Sequence, residues 1–259
     1  MRMKNKIGLV TAGASGMGRA GAIKFAREGA AVAVVDLDEA RAKEVADSIV
    51  EAGGQAIALH GNLCDESFSR QIVHATVEAF GGLDFIWAHA GHPGPAAIET
   101  LDLKDFDFAM NLNVRTALAT VIEALPLFKQ RGGGSVLFTA SSSGLVGSPF
   151  SPVYSVAKFG IVGLARSLAK RYGPDNIRFN VVCPGTTDTP MLRVFVARPD
   201  NVPTQGMDPE ELVQKRASVN PLGRMGKPEE IANAALFLLS DEASFVNGAA
   251  LAVDGGVTA

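Results

Sequence analysis

The sequence predicts an α/β protein: a parallel sheet of about seven strands, doubly wound with helices on both faces, in a single domain spanning 1–259. Three observations predict it. Short apolar runs alternate strictly with helix-length amphipathic segments along the chain. The first apolar run opens directly into a glycine-rich turn, Thr11-Ala-Gly-Ala-Ser-Gly-Met-Gly18. No linker, charge run or low-complexity tract divides the 259 residues, which suffice to bury one continuous core.

Each element follows from a local pattern. Ile7–Val10 reads as a buried first strand. A helix over Arg19–Gly29 leads to the second strand, Ala30–Asp36. A helix near 38–52 precedes the third strand, Gln55–His60, and one near 66–80 precedes the fourth, Leu83–His89. Residues 102–130 carry one or two helices, and Ser135–Ala140 is the fifth strand. A long helix spans about Pro152–Tyr172 before the sixth strand, Arg178–Cys183. The stretch 186–209, rich in proline and polar residues, reads as a mobile loop, part of a substrate lid at about 186–220. A helix over 227–239 and a strand at Ala249–Val253 close the chain.

The glycine turn carries chemistry. Gly13, Gly16 and Gly18, with Ser15 and Met17 between them, let the backbone turn tightly and approach a pyrophosphate at a helix N-terminus. Asp36 ends the next strand about twenty residues on, where a carboxylate can bind both ribose hydroxyls of an adenosine. Glycines alone suit any tight strand–helix turn. Strand, glycines, helix, strand and terminal acid in this order point to a Rossmann-type dinucleotide site. The Asp36 charge would repel a 2′-phosphate, and neither Ser15 nor Leu37 supplies a cation, so NAD(H) is expected over NADP(H).

A second signal is Tyr154-Ser-Val-Ala-Lys158, thirteen residues after Ser141. Residues four apart share one helix face, so an ammonium group stands beside a phenol. A nearby cation favours tyrosinate, and a shift from about 10 to about 7 takes roughly 4 kcal/mol. By itself the pair fits a lysine stem lying over a half-buried ring equally well.

Composition narrows the function further. A formal net charge of −3 gives no electrostatic case for nucleic acid or an anionic membrane, and no apolar stretch reaches membrane-spanning length. The basic start Met-Arg-Met-Lys-Asn-Lys meets too short an apolar run to be a signal peptide. Two cysteines, Cys64 and Cys183, argue against a disulfide framework and for a reducing, cytoplasmic setting. His60, His74 and His92 lack metal-ligand spacing, so no metal is expected.

With these residues in view, the chain resembles the short-chain dehydrogenase/reductase family from Lys6 to Gly256. The loop Thr11–Gly18, Asp36, Asn62-Leu63, Ala90-Gly91, Asn113, Ser141, Tyr154, Lys158, Pro184–Thr189 and Val253–Gly256 carry the likeness. The resemblance implies that Tyr154 is the acid/base at the substrate oxygen and that Ser141 hydrogen-bonds that oxygen. Lys158 would bind the nicotinamide ribose and lower the tyrosine pKa. Asn113, chosen over Asn111 by its spacing from Phe106-Asp107, would hold a water linking Lys158 to solvent. Ser141 is chosen over Ser142 and Ser143 because the family's Ser-x-x-Gly falls on Ser141 and Gly144. Gly13, Ser15, Gly16, Met17, Gly18, Asp36, Asn62, Leu63, Ala90, Gly91, Pro184, Gly185, Thr187 and Thr189 would join Tyr154 and Lys158 around NAD, with Thr189 on the carboxamide.

Three positions depart from the family pattern: Ala12 for the first loop glycine, Asn62 for an aspartate, and His89 for an asparagine. Ala12 suggests a small shift of the pyrophosphate turn, Asn62 an adenine contact kept by its carbonyl, and His89 a ring packed at a strand end. The substrate pocket should draw on Gly91–Ala97, Gly144–Val153 and the 190–220 loop, which offer Leu145, Val146, Phe150, Met191, Leu192, Val194 and Phe195. Such a lining suits a largely apolar secondary alcohol or ketone; Arg193 and Arg198 could instead grip a carboxylate or phosphate, although exposed loop cations are usually solvated. Two other readings remain: an NADPH-dependent 3-oxoacyl-thioester reductase, and a non-catalytic NAD-binding sensor. Excess apolar surface on 104–130 and on the Tyr154 helix suggests an oligomer interface, and the resemblance implies a homotetramer.

Overall fold

Along each central strand, neighbouring side chains point to opposite faces, and both faces are buried. Val10, Val34, Trp87, Leu137 and Val182 pack on one side of the sheet against Phe25, Val45 and Leu236. Leu9, Ala33, Ile86, Phe138 and Val181 pack on the other against Val73, Val121 and Ile161. The structure is a computed structural model describing residues 1–200, 204 and 206–259. Its strands are β1 (Ile7–Thr11), β2 (Ala31–Asp36), β3 (Gln55–His60), β4 (Phe85–Ala88), β5 (Gly134–Thr139), β6 (Ile177–Pro184) and β7 (Ala250–Val253). All pair in parallel, in the order β3-β2-β1-β4-β5-β6-β7.

The helices are α1 (Gly16–Arg27), α2 (Glu39–Glu51), α3 (Glu66–Phe80), α4 (Leu103–Met110), α5 (Thr116–Arg131), α6 (Pro152–Tyr172), α7 (Pro190–Val196), α8 (Pro209–Ser218) and α9 (Pro228–Leu239). Helices α1, α2 and α9 cover the first face; α3, α5 and α6 cover the second. The sheet order reverses direction between β1 and β4, opening a crevice at the carboxyl ends of the strands.

Two expectations needed correction, on the fourth strand and on the mobile loop, and one was sharpened. The fourth strand is shorter than Leu83–His89, because Asp84 accepts from the Ile7 amide at 2.8 Å and the N–H groups of His89 and Ala90 turn to the Thr11 hydroxyl, at 2.9 and 3.0 Å. Residues 102–130 form two helices joined by a π-helical turn over Asn111–Arg115. The stretch read as a mobile loop contains α7, and α8 follows it. Both begin with proline, which at a first helical position starts a helix instead of breaking it. Residues 201–203 and 205 of that stretch lie outside the described residues. The two helices share a small core of Leu192, Val196, Leu212 and Val213, separate from the two main ones.

Ala12 forms part of the glycine turn. It takes φ 52°, the left-handed region a glycine would occupy without strain. Behind it, a Cβ on Gly18 would fall 2.1 Å from the Ala12 carbonyl oxygen, so the turn has no room for a side chain there. Ala12→Gly should therefore raise the melting temperature by about 2 °C, corresponding to about 1 kcal/mol of relieved strain. An unchanged or lower melting temperature in calorimetry would show that Ala12 is held without strain.

Candidate active site

Three loop ends meet at the crevice. The first is the glycine turn between β1 and α1. Ser15 occupies the N-cap of α1, yet its hydroxyl makes no capping bond and stays free for a ligand at the helix N-terminus. Asp36, at the end of β2, is fixed by two backbone amides, Ala14 to Oδ2 at 3.0 Å and Asp38 to Oδ1 at 3.1 Å. Its carboxylate is thus tied to the turn it would serve with. Asn62 accepts from the Cys64 amide at 3.0 Å, which occupies one lone pair of the carbonyl and leaves the other.

The second end is β5, from which the chain runs into Ser141. The Ser141 hydroxyl accepts from the Ser143 amide at 3.2 Å. Gly144 then passes so close to α6 that a Cβ would sit 2.8 Å from the Lys158 carbonyl. That contact is the physical reason for a glycine three residues after Ser141. Tyr154 and Lys158 rise from the first turns of α6, with the Lys158 Nζ 5.3 Å from the tyrosine ring centroid. Lys158 is only 1% exposed and donates to the Thr139 carbonyl at 3.0 Å. Burial pulls its pKa down to about 8.

Burial also governs the tyrosine. It pushes the Tyr154 phenol up to about 12, opposed by a hydrogen bond with Ser141 and by the Arg198 charge. Desolvation outweighs both, and the groups that oppose it are Ser141 and Arg198.

The third end is Pro184–Thr189, after β6. Thr187 and Thr189 are buried, and the Thr189 hydroxyl caps α7 by accepting from the Leu192 amide at 3.4 Å. A Cβ on Gly16 would meet the Thr189 methyl at 3.0 Å, so this loop packs directly on the glycine turn.

One cleft is lined by Ser15, Gly16, Met17, Gly91, Ser141, Tyr154, Lys158, Pro184, Gly185, Thr187 and Thr189. Gly13, Gly18, Asp36, Asn62, Leu63 and Ala90 are not among its walls. Asn113 stands behind Gly91, where a Cβ would come within 2.6 Å of Asn113 Oδ1 and 3.1 Å of Lys158 Nζ. Its side chain is committed to backbone: it donates to the His92 and Ala109 carbonyls, each at 2.9 Å, and accepts from the His92 amide at 3.2 Å. Both side-chain donors are used, and Oδ1 keeps one lone pair beyond the His92 amide.

Of the apolar residues expected around substrate, Met191, Leu192 and Phe195 line the cleft, whereas Leu145, Val146, Phe150 and Val194 do not. Phe195 meets Tyr154 edge to face, with ring centroids 5.8 Å apart. Arg193 pairs with Asp188 and Glu210. Arg198 is not a solvated loop cation but 6% exposed, donating to the Gly94, Phe150 and Phe195 carbonyls and to Ser151. Among other lining residues, His92 and Arg216 fall inside the expected stretches Gly91–Ala97 and 190–220 without having been singled out, and Thr139 lies outside them. His92 accepts from the Gly94 amide on Nδ1 at 3.1 Å, which leaves Nε2 to carry the ring proton, and burial lowers its pKa. Hence it is a neutral donor. His89 packs as expected, with Nδ1 2.9 Å from the Thr139 hydroxyl, and burial lowers its pKa to about 3.

A glycine turn, an acid at the end of β2 and a serine–tyrosine–lysine cleft at a parallel sheet's carboxyl edge define an oxidoreductase class. Residues 11–258 match a family model described as enoyl-(acyl carrier protein) reductase. The chain is 40% identical to an uncharacterized oxidoreductase of Thermotoga maritima over 100% of both chains. It is 33% identical to a cyclohexanol dehydrogenase of Acinetobacter sp., covering 99% of this chain and 96% of that one. It is equally identical, at 33%, to a 3-oxoacyl-[acyl-carrier-protein] reductase of Thermotoga maritima, over 99% of each. A crystal structure of levodione reductase superposes with a TM-score of 0.93 at 32% identity, over 99% of each chain. The chain belongs to the short-chain dehydrogenase/reductase family.

The buried lysine has a measurable consequence. Its folded pKa of about 8 lies below the usual lysine value of 10.5. Between those values the unfolded chain binds more protons, so this group's penalty is full below about pH 8 and fades as pH rises toward 10.5. Lys158→Met should stabilise the fold at pH 7 by on the order of 2 kcal/mol, once the lost hydrogen bond is set against the removed charge. Urea titrations at pH 7 and pH 10 would show that advantage shrinking. A variant less stable at pH 7 would contradict the assignment.

Proposed function

We propose that the protein transfers a hydride between NAD(H) and a secondary alcohol or ketone of largely apolar body, with Tyr154 as acid/base. The observation that carries this reading is the meeting of Ser141, Tyr154 and Lys158 in the cleft that also holds the Ser15–Met17 turn. The residues fit a dinucleotide: the turn leaves no room for side chains at Gly18, the Ser15 hydroxyl is free at a helix N-terminus, and Gly91 leaves open the space before Lys158. Asp36 would bind the adenosine ribose and disfavour a 2′-phosphate. Lys158 would hold the nicotinamide ribose, Thr189 the carboxamide, and Thr187 would lie against the nicotinamide end.

When bound, the nicotinamide supplies the hydride chemistry and, oxidised, a positive charge that favours tyrosinate. Tyr154 gives or takes the proton at the substrate oxygen, and Ser141 hydrogen-bonds the same oxygen. Lys158, held near pKa 8, exchanges protons close to neutral pH. Met191, Leu192 and Phe195 surround the substrate's apolar body and exclude water. The segment 186–220 would serve as the lid. Among the described residues no helix is long and apolar enough to cross a membrane, and both cysteines are free, which fits a cytoplasmic enzyme. Exposed Phe108, Ile122, Val156 and Phe159 on the π-turn and Tyr154 helices support a homotetramer.

The relative that reduces 3-oxoacyl thioesters keeps a second reading in play, in which NADPH and an acyl thioester replace NADH and a free ketone. One assay separates them: NADH and NADPH are compared against cyclohexanone and an acetoacetyl thioester. Turnover of the ketone with NADH supports the first reading, and thioester turnover confined to NADPH supports the second. Tyr154→Phe should lower kcat/KM by about 10²–10⁴-fold while NADH still quenches tryptophan fluorescence. Activity surviving in that variant would remove Tyr154 from the chemistry.

A further inference from the structure

The cleft is lined by two cations, Lys158 and Arg216, and none of its lining residues among those described is Asp or Glu. Lys158 has a role in the reading above and a carbonyl acceptor in Thr139. Arg216 has neither. It projects from the last turns of α8, half-buried, and no hydrogen bond or ion pair joins it to a described residue. Its contact is with the face of Phe195, whose ring centroid lies 5.2 Å from the guanidinium carbon. The neighbouring arginines differ. Arg193 is paired with carboxylates, and Arg198 is saturated by carbonyls and Ser151.

A cation drawn partly out of water without a counter-charge carries a desolvation cost that a ligand anion would offset. Arg216 also stands in a useful place. Phe195, which it touches, is the same ring that meets Tyr154 edge to face. The guanidinium is therefore one aromatic ring away from the phenol assigned to the reacting oxygen. Met191 and Leu192 supply apolar wall in the same cleft. An oxo or hydroxy compound reacting at Tyr154 would thus lay an apolar spacer along this wall and reach Arg216 with its far end.

We propose that Arg216 is the specificity determinant for an anionic end group, a carboxylate in the simplest case, so that the substrates are oxo acids and hydroxy acids with an apolar spacer. This rests on Tyr154 handling the carbonyl oxygen, as assigned above. A planar guanidinium offers a carboxylate two parallel N–H donors, which a neutral ketone cannot use.

The test uses levulinate and its longer homologues, each beside the methyl ketone of matching length, with NADH as reductant. Wild-type protein should prefer the best oxo acid over its neutral partner by about 10- to 100-fold in kcat/KM, the worth of one charge-assisted pair. Arg216→Gln should collapse that ratio toward one, chiefly through KM, while Arg216→Lys retains a substantial part of it. Circular dichroism and melting curves report whether each variant folds. A second arm measures calorimetric binding of the same acids and ketones to the NADH complex. Equal acid and neutral ratios in wild-type protein, or a preference that persists in Arg216→Gln, overturns the proposal. Absence of all turnover would sink the hydride-transfer reading alone. In that event the binding arm decides this one: tighter acid than ketone binding, lost in Arg216→Gln, upholds it, and no difference refutes it.

Discussion

A buried ammonium group with no carboxylate beside it is the constraint around which the cleft is built. Lys158 is almost wholly enclosed, and its recorded acceptor is one carbonyl, that of Thr139 at 3.0 Å. Such a charge is costly unless its surroundings are rigid and polar at the right points. The sheet provides that rigidity: Thr139 ends β5, held between β4 and β6 by regular parallel pairing. Gly144 lets the Ser141 loop lie against the Lys158 backbone, and Gly91 keeps the opposite side clear of side chains. Both glycines trade local stability for access to one charged atom. Burial that raises the tyrosine and lowers the lysine brings the two pKa values to about 12 and about 8, so neither group is left at its ordinary value.

Thr139 couples this charge to the rest of the crevice. Its hydroxyl accepts from the Trp87 indole at 2.8 Å and stands 2.9 Å from His89 Nδ1. An indole nitrogen can only donate, so the threonine hydroxyl keeps its proton and a second lone pair to meet His89 Nδ1 in either neutral tautomer. The Lys158 charge further disfavours a second proton on that ring. One strand-end threonine thus positions a lysine through its carbonyl and a histidine through its hydroxyl. Thr11 plays a similar part across the switch point, taking two amides from the end of β4. The crevice is held open by these two threonines at the points where the ladder stops.

What the sequence made legible was whatever rests on short-range pattern. Gln55–His60 and Pro152–Tyr172 fall where their periodicity puts them, and the residues of the three loop ends converge as their spacing implied. The errors share one cause, a local signal whose meaning depends on tertiary context. Pro190 and Pro209 looked like loop residues, although each follows a capping side chain, Thr189 or Asp208, and so begins a helix. With α8 unseen, Arg216 lay inside the stretch expected to line the pocket but could not be singled out within it. Arg198 looked solvated because nothing in its neighbourhood announces the carbonyls of residues 94 and 150 that surround it. The tyrosine shows the same limit: the lysine four residues on is visible in the sequence, and the burial that raises the phenol pKa is not.

Those carbonyls also explain how the segment over the cleft is held. Helices α7 and α8 pack on each other through Leu192, Val196, Leu212 and Val213, a cluster too small to fix them on the sheet by apolar burial alone. Fixation comes from polar contacts at the end of α7. Arg198 grips the loop at 94 and the N-terminal edge of α6, and Asp200 accepts from the Ala96 and Ala97 amides at 2.6 and 3.1 Å. Carbonyls and a hydroxyl take the Arg198 donors, Asp200 lies near enough to act on its charge, and that charge still favours ionised Tyr154. The contact that closes the segment over the cleft is therefore also a source of its electropositive field. That field favours the ionised phenol, which links the fixing of this segment to acid–base chemistry through one guanidinium group.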